Sequence, residues 1–170
     1  MSKLRLARFL IGFGLCIIVI TLGFLYYQQV TTRISIAPLP KALASFSIKK
    51  NVLGRSALDE LSWLHDQEFQ LNKGAVGTYG KGHEITLYVA GTPISFMAGR
   101  LLAAMHDKIA RSETPFTPVA EREYKGRIVY ELQGMGQQHF YFRSNGLVVW
   151  LAVDKPHAEQ ALRQVLEFYP

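Results

Sequence analysis

The chain has 170 residues, 49% of them apolar and 12% aromatic, which excludes an intrinsically disordered protein and leaves room for one folded domain beside an apolar segment. Its formal charge of +6 is unevenly placed. Lys3, Arg5, Arg8, Arg33 and Lys41 all precede position 45, where no acidic residue occurs, and the remainder carries 14 basic and 13 acidic groups. A domain this close to neutral has no general field to gather DNA or RNA, so nucleic acid is not expected as a partner. The one cysteine, Cys16, lies within the apolar run, so the rest of the chain can form neither a disulfide nor a thiolate metal site.

Residues 9–27 read FLIGFGLCIIVITLGFLYY, with no charge and no proline. A helix of that length rises roughly 28 Å, about the thickness of a bilayer's hydrocarbon core. Tyr26 and Tyr27 give it an interfacial aromatic end. The basic residues ahead of it place residues 1–8 as a cytoplasmic tail by the positive-inside tendency, with the C-terminal part extracytoplasmic, periplasmic in a Gram-negative envelope. The alternative is a cleaved signal peptide. Its apolar region is usually shorter, and the only small-residue cleavage-like site, Ala42-Leu43-Ala44, stands well past the run.

Residues 28–55 read as a linker, because Pro38 and Pro40 stop the helix and only Arg33 to Ala37 alternates weakly. The outer domain then spans 56–170. Ser56 with Asp59 opens a helix carrying Leu58, Leu61 and Leu64 on one side, and Asn72-Lys73-Gly74 is its expected stop. Ala75 to Tyr79 and Glu84 to Ala90 read as strands, the second with Ile85, Leu87 and Val89 on one face. Thr92, as a cap, and Pro93 introduce the clearest amphipathic helix: Ile94, Met97, Ala98, Leu101, Leu102, Met105 and Ile109 recur at helical spacing, with His106 on the exposed side.

Val119 to Tyr124 and Arg127 to Leu132 are expected as a strand pair turning at Lys125-Gly126. Gln138 to Arg143 alternates, Phe140 and Phe142 facing one way and His139 and Tyr141 the other. Asn145-Gly146 is a hairpin signal, and Leu147 to Val153 is apolar without a break, as a central strand would be. A last helix follows Pro156, with Ala158, Ala161, Leu162, Val165 and Leu166 inward. The strand–turn–strand–helix order of 75–110 is echoed over 138–169. The expected fold is therefore α+β: a single transmembrane helix followed by a two-layer antiparallel sheet with helices on one face, ferredoxin-like in a loose sense.

No catalytic constellation is expected. Gly134-Met135-Gly136 lacks the lysine and following helix of a phosphate loop and reads as a turn. Glu121 and Glu123 share a strand face and read as solvated. Ser95 reads as a surface or capping residue, and no Gly-x-Ser-x-Gly elbow occurs. The five histidines show no metal-ligand spacing, although neighbouring hairpins would bring His83 and His139 nearest to each other. No cofactor, metal or enzymatic activity is predicted. The one suggestive feature is aromatic: Tyr88, Tyr141 and Trp150, with His139, fall on the sheet face opposite Phe140 and Phe142. Left uncovered, they would form a partner-binding patch. Trp63, Phe69 and Leu71 are able to cover that face instead and make it core. The expectation is a protein held to the lipid bilayer by residues 9–27, whose outer domain binds a protein partner or serves assembly in the cell envelope. A small-molecule or metal-binding sensor using His83 or His139 is the alternative.

Overall fold

A computed structural model describes residues 3–64 and 69–170, with backbone only for 3–7, 30–31 and 62–64. The chain divides into two compact units, one up to Arg33 and one over Ile34–Pro170. The first is a single helix, α1 (Lys3–Thr32), of which Arg8–Gln29 is long and apolar enough to cross a membrane. Its large apolar side chains, from Phe9 to Tyr27, are exposed on every side, the pattern of a helix with no protein core to face.

The second unit is an α+β domain built on one nine-stranded sheet. Its strands are β1 (Ser35–Ile36), β2 (Ala42–Leu43), β3 (Phe46–Leu53), β4 (Lys73–Tyr79), β5 (Ile85–Gly91), β6 (Thr117–Tyr124), β7 (Arg127–Gly134), β8 (Gln137–Ser144) and β9 (Leu147–Val153). They run in the order β2-β3-β4-β5-β9-β8-β7-β6, antiparallel throughout, with β1 added in parallel to the start of β4. The helices are α2 (Arg55–Leu64), α3 (Ser95–Ala110) and α4 (Ala158–Phe168), the last entered through a 3₁₀ turn at Lys155–His157.

The helices do not share a face. Leu87 and Val89 of β5, Val149, Leu151 and Val153 of β9, and Phe140 and Phe142 of β8 pack under α4, through Ala158, Ala161, Leu162, Val165 and Leu166. Val76, Ala90 and Val148, on the opposite face, pack under α2 and α3, through Ala57, Leu61, Ala98 and Leu101. The expected two layers are thus three. The cause is the composition of β9, whose Val148 and Ala152 are buried on one face and Val149 and Leu151 on the other, so that neither face tolerates water. The ββα echo does not hold as a structural repeat either. A two-fold rotation between β5 and β9 would superpose the strand pairs but would carry α3 to its own face of the sheet, not to that of α4.

The stretch 28–55 holds the end of α1 and then the edge strands β1 to β3. Its prolines are pinned to the core: Tyr79 Oη donates to the Pro40 carbonyl at 2.8 Å and Tyr169 Oη to the Pro38 carbonyl at 2.5 Å. Burial holds both phenols far above the usual tyrosine range, so they stay protonated donors. Gly74 does not end a helix. It sits inside β4 opposite Ala90, and a Cβ there would lie 2.9 Å from a methyl of Leu58, so glycine lets α2 approach the sheet. Thr92 does not cap α3, since its hydroxyl donates to the Ile94 carbonyl, and Ile94 is exposed. On the far strands, Arg122 pairs with the buried Glu131 at 2.6 Å and with Glu159 of α4 at 2.7 Å. Arg127 donates to the Leu166 carbonyl at 2.9 Å and to that of Tyr169, satisfying the C-terminal end of α4.

Leu151 is fully buried whereas Val119, on the edge strand β6, is 55% exposed. Leu151→Ala should destabilise the domain by about 2–5 kcal/mol, and Val119→Ala should change stability by less than about 0.5 kcal/mol. Urea unfolding of the full chain measures both.

Candidate functional site

Along the face under α3, one row of side chains crosses the sheet. Tyr88 of β5 is the cross-strand partner of Trp150 of β9, Trp150 of Tyr141 of β8, and Tyr141 of Tyr130 of β7. Residues in register on adjacent antiparallel strands stand about 5 Å apart, the separation at which rings stack. Tyr130 and Tyr141 are stacked at 4.8 Å between centroids and 17° between planes, and Tyr141 and Trp150 at 5.3 Å and 18°. The row is not an open patch. Tyr141 is 1% exposed and Tyr88 and Trp150 are half-buried, because α3 and the loop before β6 lie across it. His106, expected on the outer side of α3, faces inward. Its Nδ1 is hydrogen-bonded to Tyr141 Oη at 3.0 Å and its ring lies 4.7 Å from that of Tyr130.

His139 is set by three neighbours. The Trp150 indole N–H donates to His139 Nδ1 at 3.1 Å, which requires that nitrogen to be unprotonated. The proton is then on Nε2, which donates to the Gly134 carbonyl at 3.0 Å. The Phe116 ring packs against both His139 and Trp150, at 4.7 and 5.0 Å. Burial lowers the His139 pKa below 6.5, and the bond to the Gly134 carbonyl opposes this in part. Both ring nitrogens are thus occupied, and this histidine binds a metal only by giving up two buried hydrogen bonds. His83 is exposed in the turn before β5, and no three His, Cys, Asp or Glu side chains converge among the described residues. Met135-Gly136 forms the two-residue turn between β7 and β8, with φ +52° and +81°. Gly134 beside it permits the approach of the 113–118 loop: a Cβ would lie 2.6 Å from Phe116 and 2.8 Å from the Pro115 carbonyl.

Between α3 and this row is a cavity of about 430 Å³. Its floor includes Thr86, Tyr88, His139 and Trp150, and its roof Leu101, Ala104, Met105, Lys108 and Ile109 of α3. Phe69 and Leu61 close one side and Thr114, Phe116, Met135 and Gln137 the other. Lys108 is the one charged side chain among the described residues that line it. Thr114 Oγ1 is shielded from solvent and has no hydrogen-bond partner among the described residues. Three of the four residues singled out in the sequence, Tyr88, Trp150 and His139, therefore line one cavity, and Tyr141 stacks behind Trp150. Sequence reasoning missed His106, Phe116, Lys108 and Thr114. The helical spacing of Leu102, Met105 and Ile109 offered a signal for His106, one residue from Met105 at the margin of the apolar stripe.

Trp63, His65 and Asp66 lie outside the residues whose side chains are described. Phe69 and Leu71 pack on this face as the sequence allowed. Glu121 and Glu123 are exposed on β6, and Ser95 Oγ donates to the Asn145 carbonyl at 3.0 Å. No protein-family model matches the chain, and neither a curated protein nor a solved structure is detectably similar to it.

Below pH 6.5 an unfolded chain takes up a proton at His139 that the folded chain resists. This group's contribution to stability is therefore complete above pH 6.5 and is lost as the pH falls from there toward the folded value. Imidazole ¹⁵N NMR should show a neutral, Nε2-protonated His139 that titrates below 6.5; titration at or above that value would contradict this geometry.

Proposed function

We propose that the chain is a membrane-anchored ligand-binding protein, with its outer domain taking a small apolar molecule between α3 and the aromatic row. The observation that carries this reading is the cavity itself. Its volume falls within the roughly 300–1,000 Å³ of small-molecule sites, and it has the mostly apolar lining and few polar groups of such sites. A folded domain of this size ordinarily packs its interior without such a void.

The fold favours a small ligand over a protein partner on a sheet face or edge. Both faces are covered, and the β6 edge carries Pro118, a register shift between Pro118 and Ala120, and the charged run Glu121-Arg122-Glu123. Such features blunt strand addition. A metal-based sensor loses support from the engagement of both His139 nitrogens.

Membrane anchoring rests on α1, uniformly apolar over 9–27, and on the basic residues ahead of it, which favour a cytoplasmic N-terminus and an extracytoplasmic domain. Retention of the segment has further support. The cleavage-like Ala42-Leu43-Ala44 is part of the fold, with Leu43 fully buried and the Ala44 amide donating to Gln164 Oε1 at 2.7 Å. Cutting there would also remove the buried Ala37 and both proline acceptors.

Ala104 lies in the cavity roof, and Ala104→Trp should fill the space without disturbing the strands. For the full chain in phospholipid nanodiscs, thermal unfolding with octanoate, 2-naphthoate and indole should show stabilisation by at least one probe. That stabilisation should disappear in Ala104→Trp. No shift with any probe, or an equal shift in the variant, would refute the reading.

A further inference from the structure

Four of the apolar side chains that the domain exposes stand at one end of the sheet. Ser35 pairs with Lys73, Lys73 with Gly91, and Gly91 with Leu147, so β1, β4 and β9 start at the end where β5 finishes. Ile36 and Leu53 are exposed there, and Ile94 and Phe96 follow where the chain leaves β5 for α3. Phe96, at the outset of α3, is 71% exposed. Between Ile94 and Phe96, Ser95 lines a cleft of about 440 Å³ together with Lys125 and Arg127 of the β6–β7 hairpin and Arg143 and Asn145 at the end of β8. Glu167 is the one acidic side chain in that lining among the described residues. Lys125, Arg127 and Arg143 make no ion pair among the described residues. Arg127 is held by the Leu166 and Tyr169 carbonyls, which carry no net charge to offset its own.

Resting on the anchored reading above, though not on the cavity, we propose that this end of the domain docks on the anionic phospholipid surface of the bilayer that α1 crosses. Ile36, Leu53, Ile94 and Phe96 enter the headgroup layer, and the cleft of Lys125, Arg127 and Arg143 takes lipid phosphates. The length of chain is one support. Only Arg33 and Ile34 join α1 to β1, a stretch that spans about 10 Å at most, and β1 begins at the end that carries this surface. Charge is the other. Segments 33–36, 53–56, 91–96, 124–127 and 143–147 contain Arg33, Arg55, Lys125, Arg127 and Arg143 and no acidic residue, in a domain that is otherwise close to neutral. The opposite end mixes Lys81 and Lys155 with Glu84 and Asp154. Cations set beside exposed apolar side chains are the combination that an anionic bilayer surface holds, the first by attraction to the headgroups and the second by burial at their base.

The test uses the full chain in nanodiscs. Cys16 is its only cysteine, so in a Cys16→Ala background one cysteine is introduced, by Ile94→Cys or by Met135→Cys in the β7–β8 turn at the opposite end, and labelled with an environment-sensitive fluorophore. In discs of mixed phosphatidylcholine and phosphatidylglycerol, lipid spin-labelled near its headgroup should quench the label at Ile94→Cys and not that at Met135→Cys. In discs of phosphatidylcholine alone the quenching should fall. Neutralising one basic residue at an anionic surface should lower the ratio of docked to undocked domain about fivefold, so Lys125→Gln and Arg143→Gln should each reduce the quenching. Phe96→Ser should do the same by removing an inserted ring. All three positions are exposed, so thermal unfolding of these variants should match that of the parent chain. No quenching at Ile94→Cys, the result expected if a protein covers this end instead, would overturn the docking and leave the anchor and the cavity standing. So would equal quenching at both labels, or quenching indifferent to phosphatidylglycerol and to both charge variants. Loss of the chain from the discs on gel filtration would overturn the anchor, and the docking with it.

Discussion

Strands β5 and β9 are adjacent at the centre of the sheet, and β9 is apolar on both faces. That constraint governs the rest of the domain. A strand of this kind cannot turn one face to water, so the sheet must be covered twice. One cover is α4 with the proline segment 37–40, packed on Leu87, Val89, Val149 and Leu151 and on the rings of Phe140 and Phe142. The other is α2 and α3, and it meets a row of large rings. Tall aromatic side chains hold a helix away from the strands, and α3 places the small Ala104 in the roof above them. The cavity lies between Ala104 and the rings of Tyr88 and Trp150.

The polar groups drawn into the interior are paired in ways that stiffen the site. The indole of Trp150, the imidazole of His139 and the carbonyl of Gly134 form a short relay in which each donor meets one acceptor. Leaving any of them unpaired in this surrounding would cost about 1–3 kcal/mol. The same accounting on the other face turns Pro38 and Pro40 into acceptors for two buried tyrosines, and so makes the entry to the domain part of its core. Walls fixed in this way suit the proposed binding by shape, because little reorganisation would accompany a ligand.

Much of this was legible in the sequence where a single periodicity decides. The alternation at Gln138 to Arg143 put His139 and Tyr141 on one face and Phe140 and Phe142 on the other, and the five inward residues of α4 are buried as their spacing requires. The run Leu147 to Val153 already implied burial on two sides, which conflicts with helices on one face only; local patterns do not state which face a helix returns to. Segment 28–55 read as a linker because its strands are short, proline-flanked and held by tyrosines far away in sequence. Gly74 read as a helix stop because a close approach by Leu58 has no sequence signal. The aromatic set was visible residue by residue. That it is roofed depends on where α3 returns over the sheet, which no local pattern states.

The chain's methionines offer the most direct test of the central claim. Met105 and Met135 line the cavity, whereas Met97, on the same helix as Met105, does not. In ¹³C-methyl spectra of the full chain in nanodiscs, added 2-naphthoate should shift the Met105 and Met135 signals in a saturable manner and leave Met97 unmoved. Equal shifts at all three, or a saturable shift at Met97 alone, would show that the ligand sits elsewhere and would contradict the account.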